Sequence, residues 1–270
     1  MTHLADNLAR LEEQIVAACR RAKRRREEIE LMAVSKAFPA ESIVEAAQLG
    51  LMLFGENRVQ EFAAKAAELT ELRVPQARGP QRQVHVAGVE TSIPRPEEAA
   101  PIRVHLIGHL QSNKSTRAAE LFDGIDSVDS LRLAERLNDA AARLNKRLPI
   151  LIEVKLSPEE TKAGLDPESP ESAALLERLP DLPHLESRGL MTIAPWSVEE
   201  HFTRACFSAL RTWRDRWAQA HPRLAFDTLS MGMSGDFALA IEEGATRIRI
   251  GTALFGKRMP QPPEPNEEPA

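Results

Sequence analysis

The sequence predicts a single (β/α)8 TIM barrel with an additional N-terminal helix. Eight short apolar runs alternate with seven helical patterns, which favours a parallel sheet, and eight strands suit a closed barrel better than an open doubly wound sheet. The length of 270 residues is that of one such barrel. The last two strands each end in a small-residue loop, where barrels of this kind hold phosphate. The barrel is placed at residues 1–258, with a surface insertion at 73–103 and a disordered tail at 259–270.

Residues 4–28 read as an amphipathic helix with Leu4, Leu8, Leu11, Ile15 and Ala18 on one face. Six of the seven residues from Arg20 to Arg26 are basic. Cations at a helix C-terminus complement its dipole, so the run reads as a solvated face and not as a nucleic-acid site. The N-terminal helix fills the gap left when seven helices connect eight strands.

Strand 1, near Leu31–Ser35, runs into Lys36. A lysine at a strand's C-terminal end points into the barrel mouth, where partial desolvation favours Schiff-base chemistry with an aldehyde; the plainer reading is an exposed loop residue. Strand 2, near Leu51–Phe54, leads into Glu56 and Asn57. Asn57 either N-caps the next helix or hydrogen-bonds a ring substituent. Residues 73–103 carry five prolines without sustained periodicity and read as a surface excursion.

Strand 3, near Val104–Ile107, precedes His109, Ser112 and Asn113. One of the last two is expected to cap the next helix, with His109 ordering the loop. Strand 4, near Gly124–Val128, ends by Asp129 and Ser130, one or other of which reads as the N-cap of the next helix. Strand 5, near Ile150–Val154, opens into a loop with Lys155 and Lys162, read as solvated. Strand 6 lies near Arg188–Met191 and strand 7 near Ala225–Leu229.

The stretch from Leu229 to Gly256 is the most informative. Ser230, Gly232, Ser234 and Gly235 form one loop, Phe237–Glu243 a helix that stops at Gly244, and Thr246–Ile250 strand 8, followed by Gly251 and Thr252. Backbone N–H groups of both loops converge on one anion in this reading, so the ligand is a phosphate-bearing small molecule. Period-two alternation puts Arg247, Arg249 and Gly251 on one side of strand 8. An arginine facing the interior needs a partner, either a ligand ring nitrogen or a carboxylate.

Composition narrows the chemistry. Net charge is about -5, which argues against nucleic acid as the main ligand. No run approaches the ~18 apolar residues a membrane span requires, and the charged opening helix is unlike a secretory signal. Cys19 and Cys206, far apart in helical patterns, suit buried or free thiols in a reducing compartment, so a cytoplasmic protein is expected. The seven histidines show no metal-ligand spacing. There is no tyrosine, which excludes any mechanism with a phenol as base.

The motifs AVSK at Lys36, FGENRVQE from Phe54, HLIGHLQSNK from His105, SVDS from Ser127, ETKAG from Glu160, RGLM from Arg188, LSMGMSGD from Leu229 and TRIRIGTALFG from Thr246 resemble the pyridoxal phosphate homeostasis family. That family is related to the N-terminal barrel of alanine racemase, and the resemblance covers roughly residues 5–258. It implies pyridoxal 5'-phosphate as a Schiff base on Lys36, the phosphate held by the loops of Ser230–Ser234 and Gly251–Thr252, and Arg249 near the pyridine nitrogen. With Asn57, these make up the cofactor-binding set, with no catalytic residue assigned.

The resemblance also implies a cofactor carrier in intracellular homeostasis that passes cofactor to apoenzymes, with no robust catalytic activity; a monomer is expected. Arginine stays protonated, so Arg249 would leave the ring nitrogen unprotonated and the electron sink weak. The alternative is an enzyme: a racemase with an unidentified second base, or a Schiff-base lysine aldolase. The chain departs from the family pattern at Val104, where tryptophan is usual, at Glu153, where asparagine is common, and in the length of 73–103.

Overall fold

The computed structural model describes residues 3–71, 84–86, 89–91, 101–156, 163–195 and 199–256. The tail at 259–270, Lys162 and most of the 73–103 excursion lie outside these residues.

The sheet closes. The strands are β1 (Glu30–Val34), β2 (Leu53–Glu56), β3 (Val84–Val86), β4 (Val89–Thr91), β5 (Arg103–Leu106), β6 (Gly124–Val128), β7 (Leu148–Glu153), β8 (Leu185–Met191), β9 (Thr228–Ser230) and β10 (Arg247–Ile250). The barrel order is β1-β10-β9-β8-β7-β6-β5-β2, with every pairing parallel. β1 closes it, pairing with β10 (Met32 opposite Arg249) and with β2 (Ala33 opposite Phe54). The predicted TIM barrel is therefore the observed fold, strand for strand. β3 and β4 form a separate antiparallel pair within the excursion. Sequence periodicity missed them because three residues are too few to establish a period.

The helices are α1 (His3–Arg21), α2 (Ala40–Gln48), α3 (Val59–Glu71), α4 (Ser115–Leu121), α5 (Leu131–Arg143), α6 (Pro170–Arg178), α7 (Glu200–Ala220), α8 (Phe237–Glu242) and the short α9 (Thr252–Phe255). α5 shows how local sequence sets them. The Ser130 hydroxyl caps its start by accepting from the Leu133 N–H at 3.3 Å. Leu133, Ala134, Leu137, Ala140 and Ala141 then bury one stripe against the sheet. Each such leucine contributes about 1.5–3 kcal/mol. The expected cap by Ser112 or Asn113 is corrected: both lie in a 3-10 turn, and α4 starts behind Lys114 with no side-chain cap. At the end of α8, Gly244 takes φ +102°, the left-handed conformation that lets glycine end a helix.

α1 packs where expected, beside α8 and α9, burying Leu4, Leu11, Ile15 and Ala18. The Asn7 amide donates to the Leu254 carbonyl at 2.9 Å. The basic run is more than a solvated face. Arg21 pairs with Glu242 and Arg26 with Glu12, both at 2.7 Å, and Arg24 donates to the carbonyls of Ile241 and Ala245. Arg21 and Arg24 tie the first helix to the end of the barrel, while Arg26 fastens the following turn back onto that helix. No helix among the described residues is long and apolar enough to cross a membrane.

The interior is of two kinds. Outward-facing strand residues and the helices form one large apolar core. Among the described residues Met32, Val34, Leu53 and Ile107 make a small separate cluster within the barrel. Charged side chains share that lumen, which is what a ligand site at one end requires.

Candidate cofactor site

A cavity of about 500 Å³ opens at the C-terminal ends of the strands. Six of the seven predicted site residues line it: Lys36, Asn57, Ser234, Arg249, Gly251 and Thr252. They come from the ends of β1, β2, β9 and β10, which sequence separation hides and barrel closure unites. Ser230, the seventh, is fully buried behind Arg249. Lys155, expected to be solvated, lines the cavity too. His109 stands at the same mouth with Nδ1 3.0 Å from Asp129 Oδ2, a contact that orders its loop.

The segment carrying Lys36 is held from below. On β1, Glu30, Met32 and Val34 share a face, and Lys36 continues it into the mouth. The Ser35 hydroxyl donates to Glu56 Oε1 at 2.7 Å. Lys65 Nζ, on α3, donates to the Ser35 carbonyl, Glu56 Oε1 and Glu61 Oε1 at 2.9–3.0 Å. Burial raises the Glu56 carboxyl pKa, against the opposing pull of Lys65. Ala37 sits at φ 60°, a left-handed conformation unusual for a residue with a Cβ, and its N–H donates to Glu61 Oε1 at 2.6 Å. The turn that launches Lys36 is thus over-determined by buried charge.

The loops after β9 and β10 meet. The Ala253 N–H donates to the Ser234 hydroxyl at 3.3 Å. Gly232, at φ +92°, lets the first loop turn tightly against α8, where an added Cβ would stand 2.5 Å from Ala240 Cβ. A Cβ on Gly235 would meet nothing within 4 Å, so the loop is open on the cavity side. Two hydroxyls, Ser234 and Thr252, and the start of α9 therefore face one space.

Arg249 brings a buried cation to this end. It is 4% exposed, and its Nη1 donates to the Ser230 carbonyl at 2.6 Å and the Ser230 hydroxyl at 2.9 Å. Its Nη2 donates to the Thr192 carbonyl at 2.8 Å. Three of its five N–H donors are used among the described residues. Burial pulls its pKa down, but arginine's ordinary value is so high that it stays a cation. The carboxylate partner weighed from sequence is not a hydrogen-bond partner here; neutral oxygens serve instead. Glu153, at the end of β7, also lines the cavity. Burial pushes its carboxyl up to about 7, with Asp129 adding and Arg249 opposing. Its Oε2 and that of Glu56 are the buried side-chain polar atoms without a hydrogen-bond partner among the described residues.

Deeper in the lumen, Arg247 pairs with Asp126 at 2.9 Å and Glu30 at 2.8 Å, and His105 Nδ1 lies 2.8 Å from Asp126. Burial would raise the Asp126 pKa, but His105 and Arg247 outweigh it and hold the carboxyl below its usual range. Asp126 is thus a structural anion. Gly124 makes room for this group, since a Cβ there would come within 2.6 Å of the His105 ring. The legible signal for this group was the inward alternation of Arg247 and Arg249; the same alternation of Leu151 and Glu153 on β7 could have pointed to Glu153. Lys65 gave none, because it reaches the mouth from the middle of a helix.

Fold and site together define a βα-barrel protein with a lysine-bearing mouth, of the type found as the N-terminal domain of alanine racemase. Residues 7–259 match the model of that family, "Alanine racemase, N-terminal domain". The pyridoxal phosphate homeostasis protein of Escherichia coli (strain K12) is 40% identical over 259 residues, covering 96% of this chain and 98% of its own. That of Pseudomonas aeruginosa is 38% identical over 258 residues, covering 96% and 97%. The chain belongs to the pyridoxal phosphate homeostasis protein family. PipY of Synechococcus elongatus PCC7942, solved with pyridoxal phosphate bound, is 40% identical with a TM-score of 0.72, covering 91% of this chain and 100% of that one. Alanine racemase of Clostridium difficile 630 has a TM-score of 0.65 at 16% identity and covers 94% of this chain but 56% of that one, a likeness of fold alone.

Proposed function

We propose that this chain binds pyridoxal 5'-phosphate in the cavity at the C-terminal mouth, covalently through the Lys36 amine, and acts as a cofactor carrier in intracellular homeostasis. The observation that carries this reading is the convergence of Lys36 with Ser234, Gly251 and Thr252 on one cavity of about 500 Å³. An amine, a pair of hydroxyl-bearing loops and a buried guanidinium are the donor set that an aldehyde, a phosphate and a heteroaromatic ring require.

When bound, the cofactor supplies an electrophilic aldehyde and an electron sink whose strength depends on protonation of its ring nitrogen. Lys36 provides the amine, held in place by the Ser35–Glu56–Lys65–Glu61 network. Ser234, Gly251 and Thr252 bind the phosphate with hydroxyls and backbone N–H groups. Arg249 is held by Ser230 and Thr192 with donors to spare, and keeps the ring-nitrogen side cationic. Asn57 contributes a polar contact from the end of β2. A cation beside that nitrogen disfavours its protonation, so tight holding is combined with weak chemistry. The lack of tyrosine removes one base a racemase could use. The chain acts as a cytoplasmic monomer and hands cofactor to dependent apoenzymes.

Purified protein loaded with pyridoxal 5'-phosphate tests the reading. Borohydride should fix one equivalent on Lys36, seen by peptide mass, and apo-forms of dependent enzymes should regain activity faster than with free cofactor at equal concentration. Amino-acid racemisation above the free-cofactor rate would replace the carrier reading with an enzymatic one.

A further inference from the structure

Glu153 is a buried carboxyl that the fold does not use. It is 4% exposed, its Oε2 has no hydrogen-bond partner among the described residues, and it lines the cavity. Leaving such a group unmatched is costly, and the cost is retained where a ligand completes the site. The charged groups around it come from several strands. Asp129 after β6 and Arg249 on β10 are the charges that act on it most, with opposite sign. Lys155 beyond its own strand and Lys36 after β1 line the same cavity, and Asp236 at the start of α8 and Asp126 on β6 act on the shared Arg249.

We propose that Glu153 is a ligand-binding residue that works in its protonated form, donating a hydrogen bond to an oxygen acceptor of the ring-bearing ligand, so that ionisation of this carboxyl weakens binding of a phosphorylated pyridine ligand. The proposal rests on the function proposed above and adds the group that sets its pH dependence. A neutral carboxyl supplies a donor where the cavity otherwise has an unmatched oxygen. Ionised, it places a second anion in a cavity that must accept a phosphate. Burial, which pushes the carboxyl up to about 7, puts this change near neutrality.

Pyridoxine 5'-phosphate is the probe, because it keeps the ring and phosphate but has no aldehyde, so lysine chemistry does not contribute. Its affinity is measured by calorimetry from about pH 6 to about pH 8.5 for the unaltered chain and for Glu153→Gln, in buffers of different ionisation enthalpy. The unaltered chain should lose on the order of tenfold more affinity over that range than the variant and take up more protons on binding at the upper pH. Identical profiles and proton uptake would overturn the assignment while leaving the cofactor site standing. No binding of the probe or of pyridoxal 5'-phosphate by the unaltered chain would overturn the proposed function with it. If Glu153→Gln does not fold, the carbon-13 carboxyl resonances of the unaltered chain decide: one should titrate near neutrality and move to higher pH when the probe binds, and the absence of either would sink the proposal.

Discussion

Arg249 donates to both the carbonyl and the hydroxyl of Ser230, at 2.6 and 2.9 Å, across the junction between β9 and β10. In the register of these strands Arg247 lies opposite Ser230. The side-chain clasp adds to the backbone hydrogen bonds that cross this junction, from Thr246 to Leu229, Met231 to Arg247 and Arg249 to Gly232, and at the same place presents a cation to the cavity. Binding and architecture share one residue.

That sharing sets the outcome for Arg249→Gln. The Ser230 and Thr192 oxygens lose charged donors, and Glu153 loses its opposing cation, so the variant should be less stable by on the order of 3 kcal/mol in urea unfolding. In the fraction that folds and keeps cofactor, slow transamination of added amino acids should rise, because nothing then suppresses ring-nitrogen protonation. Unchanged stability would show that the clasp is idle.

Lys36→Ala should abolish borohydride-dependent attachment of pyridoxal 5'-phosphate and leave the melting curve nearly unchanged, since the residue stands at the mouth and not in the apolar core. Lys155 shares the cavity. Retained attachment at full stoichiometry in the variant would move the covalent role there, which peptide mass would reveal.

Ser234→Ala combined with Thr252→Ala should weaken pyridoxal 5'-phosphate more than pyridoxal. Each lost bond to a charged group costs on the order of 1.5–3 kcal/mol, while backbone N–H groups of both loops remain. Equal losses for the two ligands, measured by equilibrium titration, would show that these loops do not hold the phosphate.

The ligand-free protein should lose stability between about pH 4.5 and about pH 7 through Glu153. Its folded value is raised above the unfolded one, so the folded state binds the extra proton and its contribution fades as pH rises through that window. The full difference is on the order of 3 kcal/mol. Glu153→Gln should therefore melt higher than the unaltered chain near pH 8 and alike near pH 4.5. A gain equal at both values would point to packing and not to ionisation.

Lys65→Met removes the cation among Glu56, Glu61 and the Ser35 carbonyl. Breaking a buried pair from one side costs on the order of 3–5 kcal/mol, because Glu56 stays in place without its counter-charge. Lys36 should then be looser, seen as slower cofactor attachment at pH values where the variant is folded. Normal stability and normal attachment together would show that the network does not position Lys36.

The sequence by itself determined the barrel. Alternation of short apolar runs with helical stripes is a local property, and a parallel sheet of eight strands with matching helices leaves one closed solution. It also placed Lys36, Ser234, Gly251 and Thr252, since strand ends followed by small residues or a lone lysine are local signals, and it put Arg249 inside by alternation. Tertiary structure alone decided the partners. That Arg249 is satisfied by Ser230 and Thr192, that Lys65 reaches from α3 to Glu56, that Lys155 turns to the cavity and that Glu153 is left unmatched depend on strands brought together by closure. Backbone patterns are governed by neighbours a few residues apart. The ionisation and hydrogen bonding of a buried side chain are governed by whatever the fold places within a few ångströms, and in a barrel those groups come from distant parts of the chain.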